Sequence, residues 1–448
     1  MTGVEVALRS DWVLADGVRV GRDDAGQLYL VGASRLALGP ATPELVRGLK
    51  QLTAGAESAA IPSQFDHRQW FRDGWLRQRV WDGEQLLFVR HALPGPAVSN
   101  RPPMPTRVRL SPLTVLHRGP DGLRLESLEA SSVLTVPAGP MLELIGRLAV
   151  DNDDGTGSAP MLAELWTDGF LTAVDAPVSS WSAHEAWFHA RSRWGARAAN
   201  DYVGPVDDGS IGPALKPSPP PIAVRLPRPD QDELSLSLSS VLAARASVRH
   251  HDDEHPLTLT QLASFLHFSA AVRDQFSYQG NDYTRRSYPS GGTAYELEIY
   301  VAAGRVSGLP IGLYHYDPLE HALRQLPAEP SDLLARAQLT VLGNRSPQCL
   351  LVITARFDRI LPRYRGMGYA TTLKNVGALF QNMYLVATAL GLAPCALGNG
   401  DNALIEDALQ IDRQIEGGVG EFLLGSRPTE VNGAPADSGP HSGLRQPT

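Results

Sequence analysis

Proline sets the divisions of this chain. The stretch GPALKPSPPPIAVRLPRP (212–229) lacks backbone donors at too many positions to continue a helix or a central strand, so it reads as an extended, semi-rigid connector. A second seam, PGPAVSNRPPMP (94–105), reads the same way. A chain of 448 residues is also longer than one ordinary core supports. The expected divisions are therefore 1–95, 106–205, a proline-rich linker 206–230, a larger region 231–428, and a Gly, Pro, Ser and Asn rich tail, 429–448, expected to be disordered.

Before the second seam the sequence repeats itself. A helix over Pro43–Leu52 is followed by another that ends in Asp73-Gly74-Trp75-Leu76, and LRQRVWDGEQLLFVRHAL then alternates around Asp82-Gly83, a two-residue hairpin signal. About 95 residues later, helices over 140–150 and 161–167 end in Asp168-Gly169-Phe170-Leu171. Helix, helix, Asp-Gly, aromatic, Leu and strand is the layout of a winged helix-turn-helix. A DNA-reading helix needs several cations on one face, whereas SQFDHRQWFRDG and APMLAELWTDG are mixed or acidic. With a formal net charge of -8 and dispersed cations, these segments point to a peptide-holding or structural role rather than to nucleic acid.

The region from about Leu236 is different. YELEIYVAAGRV (295–306) and CLLVITARF (349–357) are buried-strand runs, and 371–390 is one long, largely buried helix closing on Gly391. The two cysteines, Cys349 and Cys395, sit in apolar stretches and read as buried free thiols. No run has the length of a membrane span and the first residues lack a signal-peptide pattern, so a cytoplasmic protein is expected.

Phosphate-loop, nucleophile-elbow and dinucleotide-fingerprint motifs do not occur. The run His250, His251, Asp252, Asp253, Glu254, His255 cannot turn six consecutive side chains to one ion, so no metal is expected. Three other segments carry chemistry. Arg245, Ser247 and Arg249 alternate at a helix-to-loop boundary, and guanidinium forks suit phosphate. Arg285-Arg286-Ser-Tyr-Pro289-Ser290-Gly291-Gly292 opens a strand with a turn where missing side chains let a ligand lie against backbone. Gly398-Asn399, between a short strand and an acidic helix, either places amides beside a flat ring or forms an ordinary loop.

In order, WSAHEAWFHARSR (181–193), RASVR, RRSYPSGGTAYELEIYV, GLPIGLYHYDP (308–318), RYRGMGYA (363–370) and GALFQNMYLVATALGL (377–392) resemble the SagB-type dehydrogenases of thiazole and oxazole peptide synthesis, over residues 181–428. The resemblance implies an α+β chain: a nitroreductase-like FMN-binding domain preceded by two winged-helix-like, peptide-clamp-type modules. It implies that Arg245, Ser247, Arg249 and Arg427 hold the flavin phosphate and ribityl chain. Pro289, Ser290, Gly291 and Gly292 would line the isoalloxazine, with Gly398 and Asn399 on its other side. It further implies a homodimer with each flavin touched by both chains, a precursor-peptide substrate, a cyclodehydratase partner, and no nucleic-acid or membrane partner.

Where the resembled family has a Lys-Tyr pair, this chain has Arg363-Tyr364. Guanidinium does not give up its proton near neutrality, so the expectation is that Tyr364, made more acidic by Arg363, takes the proton as phenolate while hydride leaves for the flavin; the alternative is that Arg363 is a surface residue and the base lies elsewhere or comes from a partner. Gln381 and Asn382, on the long helix, read as packing or interface residues rather than catalysts. The rival readings are an NAD(P)H-dependent nitro or quinone reductase on the same scaffold and a leader-binding scaffold whose oxidase has decayed.

Overall fold

The computed structural model describes residues 8–32, 34–57, 66–93, 101–150, 159–177, 180–193, 211–217, 219–341 and 346–428. The expected tail 429–448, the first half of the 94–105 seam and residues 206–210 of the linker lie outside them. The chain divides into two compact units, 1–198 and 199–448.

In the first unit β1 (Arg9–Leu14), β2 (Arg19–Arg22), β3 (Gln27–Val31) and β4 (Arg35–Pro40) precede α1 (Pro43–Ala54), α2 (His67–Arg72), β5 (Leu76–Asp82) and β6 (Gln85–Ala92). Then come β7 (Val108–Leu110), β8 (Thr114–Gly119), β9 (Gly122–Ser127), β10 (Ser132–Val136), α3 (Pro140–Val150), α4 (Ala159–Asp168), β11 (Leu171–Ala173) and α5 (Ala183–Arg191). The helices start and stop on local chemistry. Thr42 accepts from Leu45 N at 3.2 Å with Pro43 behind it, and α1 ends at Gly55, whose φ of 114° few side chains tolerate. Both copies of the repeat run four strands, two helices and a strand, and Gly74 (φ 79°) and Gly169 (φ 96°) turn the chain at the Asp-Gly pairs.

The segments expected as separate modules, 1–95 and 106–205, share one six-stranded sheet of order β1-β5-β6-β10-β9-β8. Arg90, on β6 of the first copy, reaches Asp168 of the second at 2.7 Å. Strands β2, β3 and β4 form a smaller sheet with β2 and β4 at its edges. Leu45, Leu49 and Leu52 of α1 close one core with Trp12 and Trp75, while Leu144, Leu148 and Leu165 close another with Phe88 and Leu134.

The second unit runs β12 (Val224–Arg225), α6 (Leu238–Ala244), α7 (Leu259–Ala270), β13 (Asp274–Tyr278), β14 (Asn281–Arg285), β15 (Leu297–Ala303), β16 (Gly312–Asp317) and β17 (Ala322–Leu326). It continues through α8 (Ser331–Thr340), β18 (Cys349–Arg356), α9 (Phe357–Tyr364), α10 (Gly368–Ala389), β19 (Leu392–Leu397), α11 (Asn402–Leu409) and β20 (Glu416–Ser426). Seven strands make an antiparallel sheet of order β12-β17-β16-β15-β18-β20-β19. Every residue of β15 and β18 is buried, because helices cover both faces. Leu297, Ile299 and Val301 meet Leu379 and Met383 of α10 on one face; Tyr300, Ala302 and Leu350 meet Leu333 of α8 and Ile405 of α11 on the other. Cys349 and Cys395 are buried free thiols, and burial pushes the Cys349 thiol up to about 12. Helix α10, about 33 Å long at 1.5 Å per residue, stops at Leu390 with Gly391 in the left-handed region.

Candidate active site

The turn between β14 and β15 is held from beneath. Ser290 Oγ accepts from Tyr295 N (2.9 Å) and from Asn375 Nδ2 (3.2 Å), and donates to Glu296 Oε2 (3.3 Å). Asn375, on α10, accepts from Gly291 N (2.9 Å) and donates to Glu296 Oε1 (2.8 Å). Glu296 is completely buried, and burial raises its carboxyl above the usual range although the Asn375 and Ser290 hydrogen bonds pull it back. The turn thus has a fixed shape, including φ of 57° at Gly292 and 60° at Thr293.

That shape seats the next helix. A side chain at Gly291 would come to 2.5 Å from Thr371 Cγ2, and one at Gly292 to 2.5 Å from the Tyr364 hydroxyl and 2.9 Å from Arg363 Cζ. Arg363 Nη1 donates to Gly292 O at 2.5 Å, with its guanidinium 6.0 Å from the Tyr364 ring. The sequence expectation of a glycine-lined turn and the separate expectation of an Arg-Tyr pair therefore meet at one place: a cation and a phenol over bare backbone, both half-buried.

The arginine segment gathers elsewhere. Arg245 caps the C-terminus of α6 and lies 5.5 Å from the Tyr384 ring, and the Ser247 hydroxyl is 2.8 Å from Tyr384 OH, which in turn accepts from Ala396 N at 2.8 Å. Val248 N donates to Pro394 O (2.8 Å), which places Arg249 beside β19, and Arg427 Nε donates to Leu392 O (3.4 Å). Arg245, Ser247, Arg249 and Arg427 thus surround the first half of β19. Arg245 meets the Tyr384 ring there and Arg427 a backbone carbonyl.

Both groups touch α10, through Asn375 and Tyr384. Nine helical residues separate these, which amounts to about 14 Å along the axis and roughly half a turn around it. Within one chain the two groups thus address different sides of α10. The run His250–His255 serves architecture: Gln348 Nε2 donates to Asp252 O (2.6 Å), and His251, held near 4 by burial and by His250, packs on Gly425.

Gly398 and Asn399 lie past the end of β19. Asn399 and Gly400 line a small cleft with Leu333, Leu397, Ile405 and Glu421, on the sheet face opposite the Ser290 turn. Sequence reasoning missed Glu421. It is 6 % exposed, burial pushes its carboxyl up to about 7, and a side chain at Gly400 would overlap it. It also passed over Glu296 and Asn375. For the two glutamates the available signal was a carboxylate inside a buried-strand run, YELEIYV and GEFLLG. Asn382 donates to Ser269 O (2.8 Å) and Ser287 Oγ (3.0 Å), an internal packing role, whereas Gln381 is exposed.

Known proteins resemble the second unit. The family model described as Nitroreductase family matches residues 242–421. MJ1384 of Methanocaldococcus jannaschii, which carries the nitroreductase name, is 34% identical over 184 residues, 41% of this chain and 88% of that protein. The trifolitoxin-processing protein TfxB of Rhizobium leguminosarum bv. trifolii is 27% identical over 40% of this chain and 51% of its own length. The microcin B17-processing protein McbC of Escherichia coli is 29% identical over 29% of this chain and 50% of its own length. The chain thus spans about half the length of the latter two.

Among solved structures, the E. coli microcin synthetase McbBCD complex with truncated pro-MccB17 bound matches 57% of this chain and 85% of that chain at 18% identity and a TM-score of 0.36. A nitroreductase with bound FMN from Desulfitobacterium hafniense DCB-2 matches 45% of this chain and 93% of that chain at 15% identity and a TM-score of 0.27. On the span of the family match and the identity with most of MJ1384, the chain belongs to the nitroreductase family.

Proposed function

We propose that this chain is an FMN-dependent dehydrogenase that oxidises thiazoline or oxazoline rings in a ribosomally made peptide to azoles, with dioxygen as the final oxidant. The observation that carries the reading is the seating of Arg363 and Tyr364 on the bare backbone of Gly291 and Gly292. The peptide-processing names of TfxB and McbC support it. The residues would suit a flavin through Arg245, Ser247, Arg249 and Arg427, whose donors would meet its phosphate and ribityl chain, and through the backbone of Pro289–Gly292; the space directly over Gly291 and Gly292 is taken by Thr371, Tyr364 and Arg363. Bound FMN supplies a two-electron acceptor. The chain's part would be to take the ring proton on the Tyr364 oxygen in its phenolate form, which the Arg363 cation beside it favours, while Pro289–Gly292 would present backbone to the ring. Gly398 and Asn399 lie on the sheet face opposite that turn within one chain, so they would reach the ring only from the second chain of a dimer.

A homodimer follows from the same reading. The two groups on opposite sides of α10 serve one flavin if each chain gives one of them, and Leu238, Leu242, Tyr369 and Leu373 on α6 and α10 are exposed apolar residues for such an interface. In the first unit, which we take as two winged-helix-like modules, the outer edge of β4 pairs with no strand among the described residues and borders a cleft lined by Leu36, Leu38, Leu45 and Trp70. That edge suits an extended precursor segment. A cyclodehydratase would supply the azoline. No helix among the described residues is long and apolar enough to cross a membrane, and the proposed setting is the cytoplasm.

The test is mass spectrometry of a cyclodehydrated precursor. The wild-type protein should remove the mass of two hydrogens per ring, and Tyr364→Phe, purified with full FMN, should remove none. Wild-type azole formation by that variant overturns the assignment. Consumption of NAD(P)H in the presence of a nitroarene or quinone, without azole formation, would instead favour the reductase reading that the MJ1384 name supports.

A further inference from the structure

Arg359 is a buried guanidinium, 2 % exposed, whose hydrogen-bond partners are all backbone carbonyls. Nε donates to Ala294 O (2.9 Å), Nη2 to Asp282 O (2.6 Å) and Nη1 to Gly212 O (2.7 Å). The three acceptors come from the end of the Ser290 turn, from the start of β14 and from the proline seam. Burial, and Arg356 beside it, bring its pKa down to about 10, so it remains a cation near neutrality. Burying a charge against carbonyls and the Tyr283 ring, 5.2 Å away, is a poor route to stability compared with an apolar side chain of the same volume. What it gives is fixed geometry among three segments.

The geometry bears on the active site. Arg359 and Arg363 are four apart on α9 and so share one helix face. Arg363 grips Gly292 O and Arg359 grips Ala294 O, two rungs from one helix to one turn. The seam also meets this helix at Asp358 and Arg359, and the strands beside it at Arg356 and Glu416. Gly212 N donates to Asp358 O (3.2 Å), and a side chain at Gly212 would overlap the Asp358 carboxylate. Arg356 donates to Ala214 O and Leu215 O (3.3 Å each), and Lys216 pairs with the buried Glu416.

We infer that Gly212–Lys216 is a strap belonging to the active site, and that Arg359 is a positioning residue. Together they set where α9 lies and therefore where Arg363 and Tyr364 stand over Gly292. The inference rests on the proposed function for its kinetic reading only; its structural reading stands apart from the reaction.

The experiment uses full-length protein carrying Gly212→Ala or Arg359→Lys. In Gly212→Ala the added methyl should push the strap off Asp358 while far-UV dichroism and bound flavin stay at wild-type levels. Amide hydrogen exchange over 357–364 should then rise roughly tenfold, with 376–390 unchanged. Turnover should fall about tenfold or more with KM little altered, as misplacement of a reacting group requires. Arg359→Lys should give the same pattern; if it fails to fold, Gly212→Ala carries the test alone. Wild-type exchange over 357–364 in Gly212→Ala overturns the strap, as does faster exchange with unchanged turnover. If the wild-type protein oxidises no azoline while Gly212→Ala still shows the exchange response, the proposed function falls and the strap stands.

Discussion

At the scale of the residue, the informative positions are carboxylates placed where water cannot reach them. Glu421 sits under Gly400 in an apolar cleft whose mouth carries the Arg336–Asp401 pair at 3.8 Å. Burial lifts its pKa to about 7 from 4.5. The folded state therefore binds this proton more tightly than the unfolded chain, so its effect on stability is nil below pH 4.5 and grows adverse as pH rises through 7. The decline amounts to about 3 kcal/mol in all. Glu421→Gln keeps the shape without the titration. Urea midpoints measured from pH 5 to 8 should show the variant gaining on the wild type as pH rises, and parallel curves would refute the assignment. Such residues were hard to read from sequence, because their partners are remote. Glu296 and Asn375 are 79 positions apart, and Arg359 and Gly212 are 147 apart. A carboxylate in a strand run signals that some buried partner exists, not which one.

At the scale of the element, local pattern went far. The Asp82-Gly83 hairpin joins β5 and β6, CLLVITAR is β18, and the long helix ends beside Gly391 as the apolar spacing requires. RASVR does begin where α6 stops. Sheet order was not legible. β15 pairs β18 across two intervening strands and a helix, and nothing local specifies that. Helix α9 escaped notice because it is short and holds Pro362, yet it carries the Arg363–Tyr364 pair. The turn opposite it gives an element-scale prediction. Gly292→Ala adds a methyl at φ 57°, against the Tyr364 hydroxyl. The left-handed backbone itself costs only about 1–2 kcal/mol. A thermal melt should therefore move little while azole formation drops by more than about tenfold, since the phenol is displaced from its seat. Unimpaired turnover would show that Tyr364 has no need of that seat.

At the scale of the whole molecule, two units close their own cores: Leu45, Trp75, Leu144 and Phe88 in the first, Val301, Leu379, Leu350 and Ile405 in the second. All of the proposed flavin residues fall in 199–448. A ligand that binds only the folded form of one unit stabilises that unit by mass action, by about 2.7 kcal/mol at a hundredfold excess over Kd. Scanning calorimetry of flavin-free protein should resolve two transitions, and added FMN should raise one of them and leave the other in place. Hydrogen exchange identifies the mover: amides in β15, β18 and α10 should gain protection, and those in α1, α3 and β6 should not. The front unit, built around a repeat and an open strand edge, should respond instead to a precursor peptide, so the two ligands should shift the two transitions separately. If FMN raised neither transition, the arginines around β19 and the glycine turn would be features of the fold with no flavin to hold. If it raised the first transition alone, the cofactor site would have been assigned to the wrong half of the chain.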